Sequence, residues 1–250
     1  MTKIILSGCC GSMGKVVTSC VAANPDFKIV AGVDLKPDQH ASFPIYEKAE
    51  KISEKADVLI DFSNSSLLPQ LLSFGIEKKL PLVLCTTGYS EMQKKEMNEA
   101  AQKIPIFNSG NMSIGVNLLI ELSKQAAKIL GNSFDIEIVE MHHNRKLDAP
   151  SGTALMIAGV VSEALGKDMH YVYDRHTQRK PREKDEIGIH SLRGGTVVGE
   201  HEVIFAGPQE TITLSHSAQS RDIFANGALN AAKYISMQAN GLYSMSDMLK

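Results

Sequence analysis

Between Glu140 and Leu155 the chain reads EMHHNRKLDAPSGTAL, which packs two histidines, a lysine, an aspartate and a Ser-Gly-Thr into one short run. A histidine changes charge near neutral pH and can hand on a proton, so His142 and His143 are candidates for acid catalysis. Lys146 adds a movable cation. Pro150 stops any extension before a helix that Ser151 or Thr153 can cap, and exposed N–H groups at Ser151, Gly152 and Thr153 would form an anion site suited to a carboxylate. Any one of these residues alone reads more simply as part of a capped helix with surface histidines. Together they describe a proton donor beside a receptor for an acidic substrate.

A second candidate stands at the N-terminus, where IILSGCCGSMGK sets Gly8, Gly11 and Gly14 between a strand pattern and a helical one. A turn of this kind brings backbone N–H groups and the positive end of a helix against a pyrophosphate; Cys10 stands where the commoner fingerprint has its middle glycine. Asp34, at the end of the next strand pattern, is placed to accept hydrogen bonds from an adenosine ribose. The order strand, turn, helix, strand, acid implies dinucleotide binding. Asp34 should repel the extra phosphate of NADPH while Lys36 and Lys15 offset part of that repulsion, so NADH is expected to be preferred and NADPH to remain usable. Two further turns, CTTG at 85–88 and NSGNMS at 108–113, follow later strand patterns, at the carboxyl ends where a doubly wound sheet binds its ligands.

The elements that must position these residues change character along the chain. The first half alternates apolar runs with helical patterns: KIILS then 11–23, FKIVAGVD then 47–55, ADVLIDF then 65–79, LPLVLCT then 90–102, IPIFNS then 113–130. That alternation predicts an α/β fold, a Rossmann-type doubly wound parallel sheet covered on both faces. After Asn132 come FDIEIVEMH, a helix over 153–165, and the strand-like EIGIHSLRGG, TVVGEHEVIFAG and ETITLSHSAQS, which predict a C-terminal α+β domain with a mixed sheet. YDRHTQRKPREKDE reads as an exposed charged loop. The helical RDIFANGALNAAKYISMQANG should return to the first domain. The expected organisation is a dinucleotide-binding domain of residues 1–112 and 222–250, and a substrate-binding and oligomerisation domain of 113–221.

Composition excludes several classes. With 43% hydrophobic and 22% charged residues and a net charge of -2, the 250-residue chain is globular in character and has no basic field to attract nucleic acid or an anionic membrane. The apolar run at the N-terminus is too short for a membrane span or a secretory signal, so a cytoplasmic location is expected. The four cysteines are irregularly spaced, unlike a disulfide scaffold. Cys9 and Cys10 should point apart, and adjacent strand histidines face opposite ways, which makes His142 and His143 poor joint ligands with His190, His201 or His216; no metal is expected.

The H-H-x-x-K-x-D-A-P-S-G-T run resembles the signature of the 4-hydroxy-tetrahydrodipicolinate reductase family, formerly dihydrodipicolinate reductases, of the diaminopimelate route to lysine. The likeness extends through GCCGSMG, DFS at 61–63, CTTG, GNMSIGVN at 110–117, VGEHEVIFAG at 198–207 and SRDIFANGAL at 220–229. It implies hydride transfer from NADH or NADPH to a cyclic imine dicarboxylate, with loss of the 4-hydroxyl as water and protonation of the resulting enamine. By the same resemblance His142 is the general acid, Lys146 assists and orients, and His143, Ser151, Gly152, Thr153 and Arg221 bind the substrate carboxylates. Cofactor contacts map to Gly8, Gly11, Ser12, Met13, Asp34, the backbone of Cys85, Thr86 and Thr87, and Ser109, Gly110, Asn111 and Met112. A homotetramer built through second-domain sheets is also implied.

The chain departs from the family pattern at two places. Cys85 stands where a glycine usually precedes T-T-G, which would narrow the nicotinamide side, and Asp34-Leu35-Lys36 stands where an acidic-arginine pair is common. Another two-domain dehydrogenase would need a different substrate signature, and none is visible. A regulator that senses NAD(H) would carry a DNA-reading module with a basic face, and none is found.

Overall fold

The structure, a computed structural model, describes residues 1–35, 41–177 and 179–249. In chain order its strands and helices begin with β1 (Thr2–Ser7), α1 (Ser12–Ala22), β2 (Phe27–Val33), β3 (Ile45–Tyr46), β4 (Val58–Asp61), α2 (Leu68–Lys78), β5 (Leu82–Leu84), α3 (Glu91–Ala101), β6 (Pro105–Asn108) and α4 (Ile114–Leu130). There follow β7 (Asp135–His142), α5 (Gly152–Leu165), β8 (His170–Val172), β9 (Glu186–Arg193), β10 (Gly199–Gly207), β11 (Glu210–Ala218), α6 (Asp222–Ile235), β12 (Gly241–Tyr243) and α7 (Met245–Met248). The chain forms two compact units, one of Met1–Ile114 with Arg221–Lys250 and one of Gly115–Ser220.

In the first unit the strands form a sheet of order β12-β6-β5-β4-β1-β2-β3, and every pairing is parallel. Its apolar runs are continuous because both faces are covered. Ile4 and Leu6 of β1 pack with α1 and α6, while Ile5 between them packs with α2 and α3. The same alternation sends Val58 and Ile60 one way and Leu59 the other. Each such side chain contributes about 1.5–3 kcal/mol by leaving water.

The helix expected over 47–55 is instead a single 3-10 turn, Ala49–Lys51. Ala49 and Ile52 are both buried, and a 3-10 turn superimposes residues three apart, so the apolar spacing needs no longer helix. β3 and β12 are too short to show alternation in sequence and were not expected.

The second unit holds a mixed sheet of order β11-β10-β7-β9-β8, in which β7 pairs antiparallel with β10 and parallel with β9. Ile136 and Ile138 of β7 join Ile187, Ile189, Val203 and Phe205 in a core with Ile157 and Val161 of α5. Glu140 and His142 continue that same row of alternate residues, so two polar groups lie on the helix-covered face at the end of the core. The charged segment after β8 is not simply solvated. Arg182 bonds Asp135, Glu137 and the carbonyl of Ile136, and Arg175 pairs with Glu137 and Glu186, so acids on the sheet hold the segment down. Among the described residues no helix is long and apolar enough to cross a membrane.

Candidate active site

Glu140 is fully buried and its carboxylate is saturated with donors. Arg193 donates to both oxygens at 2.8 Å, His142 Nδ1 lies at 2.6 Å, and the Ser151 N–H donates at 3.1 Å. Register explains the arrangement: Arg193 stands opposite His142 in the β7–β9 pairing. Burial alone would raise the Glu140 carboxyl, but Arg193, Ser191 and His142 together bring it down to about 2, so it is an anion. That anion fixes Nδ1–H of His142 as donor and leaves Nε2 as the nitrogen free to exchange a proton. Gly199 lies next to Nε2, where a Cβ would stand 3.0 Å away. Burial lowers the His142 pKa below its ordinary 6.5, with Glu140 opposing that shift and Lys146 and Arg193 adding to it.

His201, opposite Glu140 in the β7–β10 register, is nearly buried and packs edge-on to His142 with ring centroids 5.2 Å apart. Burial and the neighbouring His142 push its pKa down to about 4, so it is neutral. Its Nε2 shares a hydrogen bond of 2.9 Å with Ser151 Oγ, which also accepts the Ala154 N–H and caps α5. Ser151 therefore departs from the sequence-based expectation of an exposed N–H: its amide serves Glu140 and its hydroxyl serves the cap. Gly152 begins α5 with open space where a side chain would stand, as an anion at a helix N-terminus requires. Thr153 is half-buried in the same first turn. Lys146 Nζ is held by both oxygens of Asp148 at 2.8–2.9 Å, and Arg193 reaches the Asp148 carbonyl at 2.7 Å, which ties the loop to Glu140. His143 lies just beyond β7, and its buried Nδ1 has no hydrogen-bond partner among the described residues.

In the first unit Gly8 takes φ +76°, and a Cβ there would stand 2.8 Å from the Phe62 backbone. Gly14 packs so closely on the carbonyls of Gly8 and Cys9 that any side chain would collide. α1 then starts at Ser12 with no side-chain cap and no acid in its first turn, which leaves its positive end open to a phosphate. Met13 is half-buried beside this turn. Asp34 follows β2 and accepts the Cys10 N–H at 2.9 Å. These features fit a dinucleotide pyrophosphate and ribose. Lys36 lies outside the described residues.

Cys9 and Cys10 do not point apart, since their sulfurs are 3.9 Å apart. Strand alternation does not apply to them, because the Gly8 turn has already bent the chain. Arg221 belongs to the first unit and donates to Ser12 Oγ at 2.8 Å, so its described partner lies in the glycine turn and not in the histidine loop.

The buried Asp61 holds the remaining turns at the strand ends, accepting from Ser63 Oγ at 2.5 Å and from Thr86 Oγ1 at 2.8 Å. Cys85, Thr86 and Thr87 line a cavity of about 270 Å³ with residues 62–65. Cys85 is buried in the core, so it fills space behind the turn. Ser109 Oγ closes its own turn on the Asn111 carbonyl at 2.7 Å, Gly110 lies against Thr87, and Met112 is buried with its carbonyl against Gly227.

Family models described as the N-terminus and the C-terminus of dihydrodipicolinate reductase match residues 2–112 and 115–249. A curated relative from Caldanaerobacter subterraneus subsp. tengcongensis, named 4-hydroxy-tetrahydrodipicolinate reductase, is 53% identical over 100% of this chain and 99% of its own length. One of the same name from Clostridium novyi is 47% identical over 100% of this chain and 99% of its own. Among solved structures, the dipicolinate-bound dihydrodipicolinate reductase from Paenisporosarcina sp. TG-14 superposes with a TM-score of 0.82 at 26% identity, covering 98% of this chain and 97% of that one.

Proposed function

The chain belongs to the dihydrodipicolinate reductase family, and from that premise we propose how its residues share the reduction of 4-hydroxy-tetrahydrodipicolinate on the diaminopimelate route to lysine. A dinucleotide bound at the glycine turn supplies the hydride; the protein supplies binding, orientation and the proton. Gly8, Gly11, Ser12 and Met13 would hold the pyrophosphate and Asp34 would accept from the ribose hydroxyls. The backbone of Cys85, Thr86 and Thr87 and the turn of Ser109, Gly110, Asn111 and Met112 would hold the nicotinamide end.

The observation that carries the catalytic assignment is that one buried carboxylate, Glu140, bonds both His142 and the Ser151 amide at the head of α5. The proton donor and the anion-binding helix end are thus held by a single group. Gly152 and Thr153 offer the helix terminus to one substrate carboxylate. His143 and Lys146 are assigned to the substrate with them, and the buried Nδ1 of His143, without a hydrogen-bond partner among the described residues, suits a polar ligand. The Paenisporosarcina neighbour's dipicolinate is itself a ring bearing two carboxylates, which supports this pairing of anion sites. The 4-hydroxyl would leave as water with a proton from the adjacent ring carbon, giving the conjugated imine that the dinucleotide reduces, and His142 Nε2 would give its proton to the carbon of the enamine that results.

NADH is the preferred reductant in this reading and NADPH a usable one. The first unit serves the dinucleotide, and the second serves substrate and assembly. A homotetramer would be built through the second sheet, whose edge strand β11 exposes Thr211, Ile212 and Thr213. The test is loss of nicotinamide absorbance with the condensation product of pyruvate and aspartate semialdehyde. Turnover that requires this substrate supports the assignment, and no turnover with either nicotinamide cofactor overturns it.

A further inference from the structure

Cys9 and Cys10 have no part in the reductase chemistry, and they lie beside Asp34, the proposed ribose acceptor. Each offers a ligand atom within 4.8 Å of the other two. Two thiolates bound to one tetrahedral zinc at ~2.3 Å stand about 3.8 Å apart, and the Cys9 and Cys10 sulfurs stand 3.9 Å apart. The turn presets this spacing. Gly8 bends the chain in the left-handed region, Gly32 leaves room for Cys9 Sγ, and the Cys10 N–H holds the Asp34 carboxylate over the loop. A cavity of about 350 Å³ lined by Cys9, Cys10, Lys15, Thr18, Ser42 and Phe43 gives solvent a way in.

We propose that Cys9 Sγ, Cys10 Sγ and the Asp34 carboxylate form a site for one soft divalent cation, zinc or cadmium, which binds in alternation with the dinucleotide. The alternation rests on the reading of Asp34 as the ribose acceptor, because an ion held between the two sulfurs and Asp34 would stand where the ribose hydroxyls bind. On binding, each thiol gives its proton to water and its sulfur forms a bond to the ion, with no change of oxidation state. Thiolate ligands select soft ions over magnesium or calcium. Burial, with Cys10 and Asp34 adding to it, pushes the Cys9 thiol up to about 12, so it stays protonated until an ion displaces the proton. A disulfide is the poorer use of the pair, since the sulfurs would have to close from 3.9 Å to bonding distance and an oxidant would be needed.

The test is titration of the reduced full-length protein with cadmium, followed by the ultraviolet thiolate-to-metal absorption, with and without saturating NADH. The expected result is a band that saturates at one ion per chain, weakens more than about tenfold in affinity in Cys10→Ser and Cys10→Ala, and persists in Cys20→Ser. Retained far-ultraviolet circular dichroism in the Cys10 variants shows that a lost band is not a lost fold. NADH is expected to remove the band. Absence of the band, or a band indifferent to Cys10, overturns the site while leaving the cofactor reading standing. A Cys10-dependent band that NADH does not disturb overturns the alternation.

Discussion

The buried carboxylate of Glu140 lies 2.6 Å from Nδ1 of His142, two residues along the same face of β7, and Arg193 holds it from the other side with two bonds of 2.8 Å. A charged carboxylate there sets the tautomer of His142, aims Nε2 outward and supplies the counter-charge for an imidazolium. On the proposed assignment of His142 as the acid, both catalysis and stability depend on that contact.

His142→Ala is expected to lower kcat by about a hundredfold or more, the scale for a positioned proton donor, with a smaller change in KM. Steady-state kinetics across pH checks it. Near-normal kcat at every pH would remove His142 from the role of acid.

Arg193→Met should take from the buried Glu140 its guanidinium partner, leaving His142 and the Ser151 N–H, and cost ~3–5 kcal/mol of stability, read from denaturant unfolding. The acid limb carries a sign as well. Glu140 titrates at about 2 in the folded chain against an ordinary 4.5, so its contribution is fully present above the ordinary value and is lost as pH falls toward 2. The variant is expected to show a weaker acid limb, since His142 and Ser191 still lower the Glu140 pKa; an unfolding curve identical to that of the parent protein at neutral pH would show that Arg193 does not compensate Glu140.

Arg221→Ala separates two assignments. The family resemblance gives Arg221 to the substrate carboxylates, whereas the described hydrogen bond is to Ser12 at the start of α1. If the contact with Ser12 reflects its work, KM for the dinucleotide rises by an amount corresponding to ~1.5–3 kcal/mol. A rise confined to the substrate KM would restore the resemblance-based role.

At Asp34, a second negative charge about 4 Å away would be disfavoured by ~4 kcal/mol at an effective dielectric near 20. Lys15, exposed beside the turn, offsets part of this and is screened by salt. NADH is therefore expected to exceed NADPH by about tenfold or less in kcat/KM, or roughly 1.4 kcal/mol. Kinetics with both cofactors at two salt concentrations decides it: a strong NADPH preference would contradict the role of Asp34, and undetectable NADPH turnover that of the lysines.

What could be read from sequence was what is local. The glycine turn, Asp34 and the run from His142 to Thr153 each lie within one loop or at one strand end, where spacing alone fixes proximity. Glu140 was visible in the quoted run, but its role was not, because that role depends on Arg193 and His201. Those two residues reach it through strand register, from more than fifty residues away in the chain. Ser151 caps α5 as its type suggests, but its N–H, expected to be exposed, is taken up by the buried Glu140. The nearness of Cys9 and Cys10 escaped because it follows from the positive φ of Gly8, which a letter pattern suggests without aiming the side chains that follow. Asp61 organises the turns after β4 and β5 through Ser63 and Thr86, the latter a partner twenty-five residues on that strand pairing brings to it.

The pH dependence of kcat/KM in Glu140→Gln, set against the parent protein, tests the central claim most directly. His142 must be protonated at Nε2 to act, and burial already holds its pKa below 6.5 despite the anion beside it. Activity should therefore decline as pH rises through that value. Glutamine keeps an acceptor for Nδ1–H but removes the negative charge, so the decline should move to lower pH, with kcat affected more than KM. A uniform loss at every pH, or a decline left where it was, would contradict the assignment of Glu140 as the group that sets the proton donor.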